Sequence, residues 1–176
     1  MVAGASMGGC IALAFAAAYP ERTAGLGLID TTAWYGPQAP EQWNERGRKG
    51  REEGMAALVD FQKTRWFSDG FRAASPGVVE QAVAVFLAND PAAYEQTCRM
   101  LGAVNKTEAL NRFDFPTRIV VGAEDYATPV AMAAAMQARI PQATLRIIEG
   151  VRHFTPLECP AEIAGELRLL VASATV

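Results

Sequence analysis

Ser6 lies between Gly4 and Gly8 in the run Gly4-Ala5-Ser6-Met7-Gly8, with Gly9 following. Glycines two residues to either side of a serine give room for close backbone approach. The serine then occupies a strained strand-to-helix turn that carries its hydroxyl clear of a sheet. The flanking residues suit that turn. Residues 1–3 read as the end of a strand. Residues 10–19 are Ala-rich and apolar on nearly all sides, as in a buried helix, and Pro20 stops it.

The pattern repeats further along. Residues 25–29 are a short apolar run, read as a buried strand ending at Asp30. Residues 117–121 and 144–148 read as two more strands, with helices over 129–140 and 160–171. Strands alternating with helices predict an α/β fold whose parallel sheet is covered on both faces. Between them, residues 34–112 change character. Residues 34–40 are turn-rich, 41–53 are densely charged and read as a solvated helix, and 55–67, 76–88 and 91–104 show helical spacing of apolar residues. Pro76 and Pro91 suit first turns of helices. The expected organisation is therefore a core of residues 1–33 and 113–176 with a helical cap or lid over 34–112.

Open α/β sheets place functional residues at the carboxyl ends of strands. Asp125 follows the strand at 117–121 in the run Gly122-Ala123-Glu124-Asp125, and His153, the single histidine, follows the strand at 144–148. A serine hydroxyl is a poor nucleophile until a base takes its proton, and an acid orients that base and stabilises its imidazolium. Ser6, Asp125 and His153 occur in the order nucleophile, acid, base, and the backbone N–H of Met7, at the start of a helix, is placed to serve as an oxyanion donor. Each residue has a blander reading. The glycine motif can arise by chance in a Gly/Ala-rich chain, Asp125 can cap a turn, and a lone histidine can sit in the core or on the surface. Glu124 is a rival acid one residue earlier, and Asp125 is preferred because it matches the pattern.

Composition excludes several other classes. A net charge of −3 argues against a nucleic-acid surface. The hydrophobic fraction of 51% is enough to bury a core. Cys10, Cys98 and Cys159 form no CxxC pair and read as reduced thiols of a cytoplasmic protein. With one histidine and no Cys/His cluster, a metal site is not expected. No run reaches membrane-spanning length, and no secretory signal is expected.

These residues resemble the α/β-hydrolase superfamily, and within it the 3-oxoadipate enol-lactonases. The closer similarity rests on Ser6-Met7-Gly8-Gly9, Pro20-Glu21-Arg22, Arg65-Trp66-Phe67, Asp90-Pro91, Tyr94, Ala127-Thr128-Pro129 and His153. The resemblance implies a bacterial serine hydrolase that opens a small carboxylated ester or enol-lactone in the β-ketoadipate route of aromatic catabolism. It implies no metal or organic cofactor. Arg65, beside Trp66 in the cap, would meet the substrate carboxylate; the other readings are a solvated charge for Arg65 and a core anchor for Trp66. A general carboxylesterase or another member of the fold is one alternative. An inactive short form serving as a binding module is another. Haloalkane dehalogenases and epoxide hydrolases of this fold use aspartate where Ser6 stands.

In that superfamily the strand before the serine is the fifth of eight, so the resemblance predicts a partial fold, strands 5–8 plus the cap. The second oxyanion donor lies after the third strand and is not expected in this chain. The expectation is a piece of an enzyme of about 260 residues. Its first strand would be an open sheet edge, inviting self-association.

Overall fold

The computed structural model describes residues 1–174. The chain forms two compact units, Met1–Trp34 together with the chain from Asn105 onward, and Tyr35–Val104. Residues 105–112, grouped with the insertion by sequence, cluster with the first unit. The physical reason is their own apolar content: a 3-10 segment over Thr107–Arg112 buries Ala109 and Leu110 in that unit's core.

The first unit is built on a parallel sheet of four strands, β1 (Val2–Ala5), β2 (Leu26–Ile29), β3 (Thr117–Gly122) and β4 (Ala143–Ile148), lying side by side in chain order. Val2 stands opposite Leu26, Leu26 opposite Thr117, and Thr117 opposite Ala143, so the strand ends are level. Alternation along the strands feeds two cores. Leu26, Leu28, Ile119 and Val121 pack with Leu13 and Ala16 of α1 (Met7–Ala18) and with Met136 of α7 (Val130–Gln137). Ile29, Val120 and Ile148 pack with Ile163 of α9 (Pro160–Ser173), which follows the short α8 (Thr155–Glu158). β2 is buried throughout, as a strand covered on both faces must be, whereas β4, at an edge, alternates in burial.

The helix after Ser6 begins earlier than its apolar run suggests. It starts at Met7 because one residue, Ser6, makes the whole turn, and the Ser6 carbonyl already accepts from the N–H groups of Gly9 (2.9 Å) and Cys10 (3.2 Å).

The second unit is helical: α2 (Ala39–Glu53), α3 (Val59–Trp66), α4 (Asp69–Ala74), α5 (Pro76–Leu87) and α6 (Pro91–Ala103). Ser68 caps α4 and Asp90 caps α6, each through its side-chain oxygen. The charged α2 is not solvated all round. Gly47 and Gly50 are buried against α6, where a Cβ at Gly47 would lie 3.0 Å from that of Cys98 and one at Gly50 3.0 Å from the Tyr94 ring. A glycine stripe, invisible to a hydrophobic pattern, lets this polar helix pack closely. An aromatic cluster of Trp66, Phe86 and Tyr94 completes the unit's core.

Candidate active site

Ser6, Asp125 and His153 lie in loops and turns beyond the carboxyl ends of β1, β3 and β4. Ser6, one residue beyond β1, has φ +51 and ψ −118, a conformation that a residue with a Cβ adopts only under strain. The surrounding structure holds it there. A Cβ on Gly4 would fall 2.1 Å from the Gly8 carbonyl oxygen, and one on Gly9 2.5 Å from the Thr31 side chain. Of the motif's two glycines, Gly4 is thus required by crossing backbone, whereas a Cβ on Gly8 would meet open space; Gly9, just after the motif, is required by Thr31. Thr31 also donates its hydroxyl to the Ser6 carbonyl at 2.7 Å.

The loop after β3 brings up Asp125, which is 3% exposed. Its Oδ1 accepts from the backbone N–H groups of Ala127 (2.7 Å) and Thr128 (2.9 Å), and its Oδ2 accepts from the Thr128 hydroxyl (2.8 Å). The loop after β4 lies against it. The carbonyls of Val151 and Arg152 pass over Gly122 so closely that a Cβ there would fall 2.3 Å from the Arg152 oxygen. The N–H of Glu124 donates to the Val151 carbonyl at 3.0 Å. This seam delivers His153, 6% exposed, to the centre.

The three expected residues meet in one relay. Ser6 Oγ is 2.8 Å from His153 Nε2, and His153 Nδ1 is 2.8 Å from Asp125 Oδ2. Burial alone would raise the Asp125 pKa, but the hydrogen bond and charge of His153, with the Thr128 donors, outweigh it and hold the carboxyl below its ordinary range. An acid ionised in this way selects the ring tautomer with hydrogen on Nδ1, leaving Nε2 to accept from the serine. Glu124, the rival acid, turns instead to the Arg152 guanidinium at 3.6 Å. Met7 is the first residue of α1, so its N–H points out of a helix N-terminus beside the serine.

Arg65 and Trp66 lie on α3 of the second unit. The Arg65 guanidinium sits over the Phe61 ring, 4.9 Å from its centroid, and Trp66 packs edge-on against Phe86. Among the described residues no three His, Cys, Asp or Glu side chains are grouped as metal ligands would be.

Three polar residues around the relay carry no motif of their own. Thr128 stands three residues after Asp125, the spacing of a side chain that folds back on its own turn. Thr31 follows directly on Asp30, and Asp30 is signalled only as a charge ending an apolar strand.

The alpha/beta hydrolase family is matched over residues 1–166. Among curated proteins, 3-oxoadipate enol-lactonase 2 of Acinetobacter baylyi is 29% identical over 157 residues, 89% of this chain and 58% of that protein. The same organism's 3-oxoadipate enol-lactonase 1 is also 29% identical, over 160 residues. The chain thus spans 58% of the length of these relatives. Among solved structures, a thermophilic esterase of Thermogutta terrifontis superposes with a TM-score of 0.90 at 28% identity, covering 99% of this chain and 65% of that one. The enol-lactonase of Burkholderia xenovorans superposes with a TM-score of 0.89 at 27% identity, covering 97% of this chain and 64% of that one. With a parallel sheet, a serine at a strained turn and a match over nearly its whole length, the chain belongs to the alpha/beta hydrolase family.

Proposed function

We propose that Ser6, His153 and Asp125 are the nucleophile, base and acid of a serine hydrolase that opens a small carboxylated ester or enol-lactone. The observation that carries the reading is the relay itself, with Ser6 Oγ 2.8 Å from His153 Nε2 and His153 Nδ1 2.8 Å from Asp125 Oδ2. In this mechanism Ser6 attacks the carbonyl carbon as its proton passes to His153 Nε2. The oxyanion of the tetrahedral intermediate accepts from the Met7 N–H. The C–O bond to the leaving group then breaks, His153 returns the proton to the departing oxygen, and an acyl-serine remains. Water, deprotonated by His153, attacks that ester and restores Ser6. For an enol-lactone the departing oxygen becomes an enol that settles as the ketone, which makes acylation favourable.

A carboxylated substrate needs a cation, and Arg65 is the residue proposed to meet it; Trp66, 8% exposed and packed edge-on against Phe86, is a core anchor of the helical unit. The likeness to two enol-lactonases and to a solved enol-lactonase supports this substrate class. The likeness to a solved esterase favours a second reading, a general carboxylesterase. A pair of substrates separates them. On the first reading Arg65→Ala raises KM for a carboxylated enol-lactone about tenfold and leaves a neutral aryl acetate unchanged, as expected for one charge-assisted contact. Equal loss on both substrates, or none on either, removes Arg65 from carboxylate binding. Turnover of the aryl ester alone selects the carboxylesterase.

Cys10, Cys98 and Cys159, read as reduced thiols, suit the cytoplasmic setting proposed for the protein. Self-association is proposed along β1, an edge strand among the described residues, where Ala3 and Ala5 are exposed and Ile11 of the adjoining α1 is 54% exposed. A second copy is the occupant because an open strand edge offers the same unpaired groups to its own twin. Sedimentation of this chain at rising concentration should show a shift from monomer to dimer. A monomer at every concentration would remove the proposal.

A further inference from the structure

Asp30 stands directly after β2, outside the relay of Ser6, His153 and Asp125. It is 0% exposed, and its φ of +46 makes it, with Ser6, one of two non-glycine residues with positive φ among those described. Its N–H donates to the Val120 carbonyl at 2.9 Å, which locks it to β3. Its Oδ2 accepts from the Thr155 N–H at 3.1 Å and from the Thr155 hydroxyl at 2.7 Å. Its Oδ1 is buried without a hydrogen-bond partner. A strained backbone and a half-satisfied buried carboxyl are both unfavourable, and such costs persist where the surrounding structure enforces them.

Both features serve one contact. Thr155 is two residues beyond His153 and wholly buried. Its carbonyl accepts from the Cys159 thiol (3.2 Å) and the Cys159 N–H (2.8 Å). The approach to His153 is held by other groups: the Glu124 N–H on the Val151 carbonyl, and the Arg152 N–H donating to Glu158 Oε1 at 2.8 Å. His153 is therefore suspended between two anchors, and Asp30 is the foundation of the far one.

We propose that Asp30 is a positioning residue which, by holding Thr155, sets the His153 ring in line between Ser6 and Asp125. The proposal rests on the reading of His153 as the base. Asp30 acts as the neutral acid. Burial pushes its pKa up to about 8, against the Thr155 hydroxyl, with the Asp125 charge adding to the rise. The titratable groups on the elements packed around it are Asp125 after β3, His153 before α8, and Cys159 after α8. Burial pushes the Cys159 thiol up to about 11, with the charges of Asp30, Glu158 and Glu162 adding to the rise.

His153 is the single histidine, so its ring resonances identify themselves. The test follows them by NMR from pH 5 to pH 10 in the unaltered chain and in Asp30→Asn, Asp30→Ala and Thr155→Val. In the unaltered chain the ring should report an inflection near pH 8, where Asp30 ionises. Asp30→Asn, which keeps the acceptor and removes the titration, should lose that inflection and retain the low-field Nδ1–H signal of the ring bonded to Asp125. Asp30→Ala and Thr155→Val should broaden or lose that signal. On an aryl ester both should lower kcat by about tenfold to a hundredfold with KM little changed, the effect of a displaced base. Folded Asp30→Ala and Thr155→Val proteins that keep the ring signals would overturn the proposal. If Asp30→Ala does not fold, Thr155→Val decides alone. Labelling of Ser6 by a fluorophosphonate probe separates the two readings. No labelling counts against the hydrolase reading, while the ring signals alone decide whether Asp30 positions His153.

Discussion

Ser6→Ala is expected to abolish ester turnover while leaving the fold intact, a loss on the order of a million-fold in kcat if the relay is the catalytic unit. The expected effect is this large because, on the proposed reading, the three residues act as one unit. Without Oγ there is no nucleophile, and a base held at Nε2 has no proton to take from the enzyme. The fold should not notice. Ser6 is only partly buried, so water can replace the lost partner of His153 Nε2, and the unfolding free energy should change by no more than about 1 kcal/mol. Ser6→Gly sharpens the test. It also removes the hydroxyl, and it relieves the strain of φ +51 and ψ −118, worth on the order of 1–3 kcal/mol less the extra freedom that glycine gains when unfolded. Two variants equally dead, one of them more stable, would mark a site where the fold holds its nucleophile under strain. Turnover surviving in either variant would place the nucleophile elsewhere. Aryl-ester hydrolysis, fluorophosphonate labelling and thermal unfolding on the same samples distinguish these outcomes.

Much of this site is legible in the sequence because its parts are punctuation. Gly4, Gly8 and Gly9 mark a crossing of backbone that a Cβ at Gly4 would obstruct. Asp125 and His153 follow apolar runs of strand length, and a parallel sheet gathers the ends of such runs along one edge. Gly122 belongs to the same logic, since the loop bearing His153 passes directly over it. What is not legible depends on contacts between distant segments. Nothing near Asp30 in the chain announces Thr155, 125 residues on. Thr128 sits inside a recognisable turn, yet its hydroxyl bond to Asp125 Oδ2 and its 3.3 Å approach to His153 Nδ1 emerge only when two loops meet.

The boundary of the helical unit shows the same limit from another side. Residues 107–112 have too little apolar periodicity to stand out as an element, and they group with the insertion by composition. Their burial of Ala109 and Leu110 against Phe113 and Phe115 makes them part of the first unit. Conversely, the charge density of α2 reads as a solvated face, because a hydrophobic pattern assigns no packing value to glycine. Gly47 and Gly50 supply contact through what they lack.

The pH dependence of stability is the second large effect, and Asp30 and Asp125 drive it in opposite directions. A carboxyl whose pKa rises on folding contributes stability that is fully present below its unfolded pKa and is lost as pH rises through the folded one. For Asp30 that window runs from an ordinary value near 3.8 to about 8. Within it the unfolded chain is ionised while the folded chain keeps its proton, so the slope is about −1.4 kcal/mol per pH unit, on the order of 6 kcal/mol in all. Above the window both states are ionised and the loss stops. Asp125 is the mirror case. Its pKa is lowered by folding, so its contribution is present above the ordinary carboxylate range and is lost as pH falls through its folded value. Between pH 5 and pH 8 Asp125 is therefore flat and Asp30 alone of the two has a slope. Urea unfolding across that range should show the chain losing stability steadily, and Asp30→Asn, which cannot ionise, should lose markedly less. The two proteins should converge toward pH 4 and diverge by several kcal/mol at pH 8. Parallel stability curves would mean that Asp30 is ionised in the folded chain at neutral pH, with its buried Oδ1 compensated in the native state.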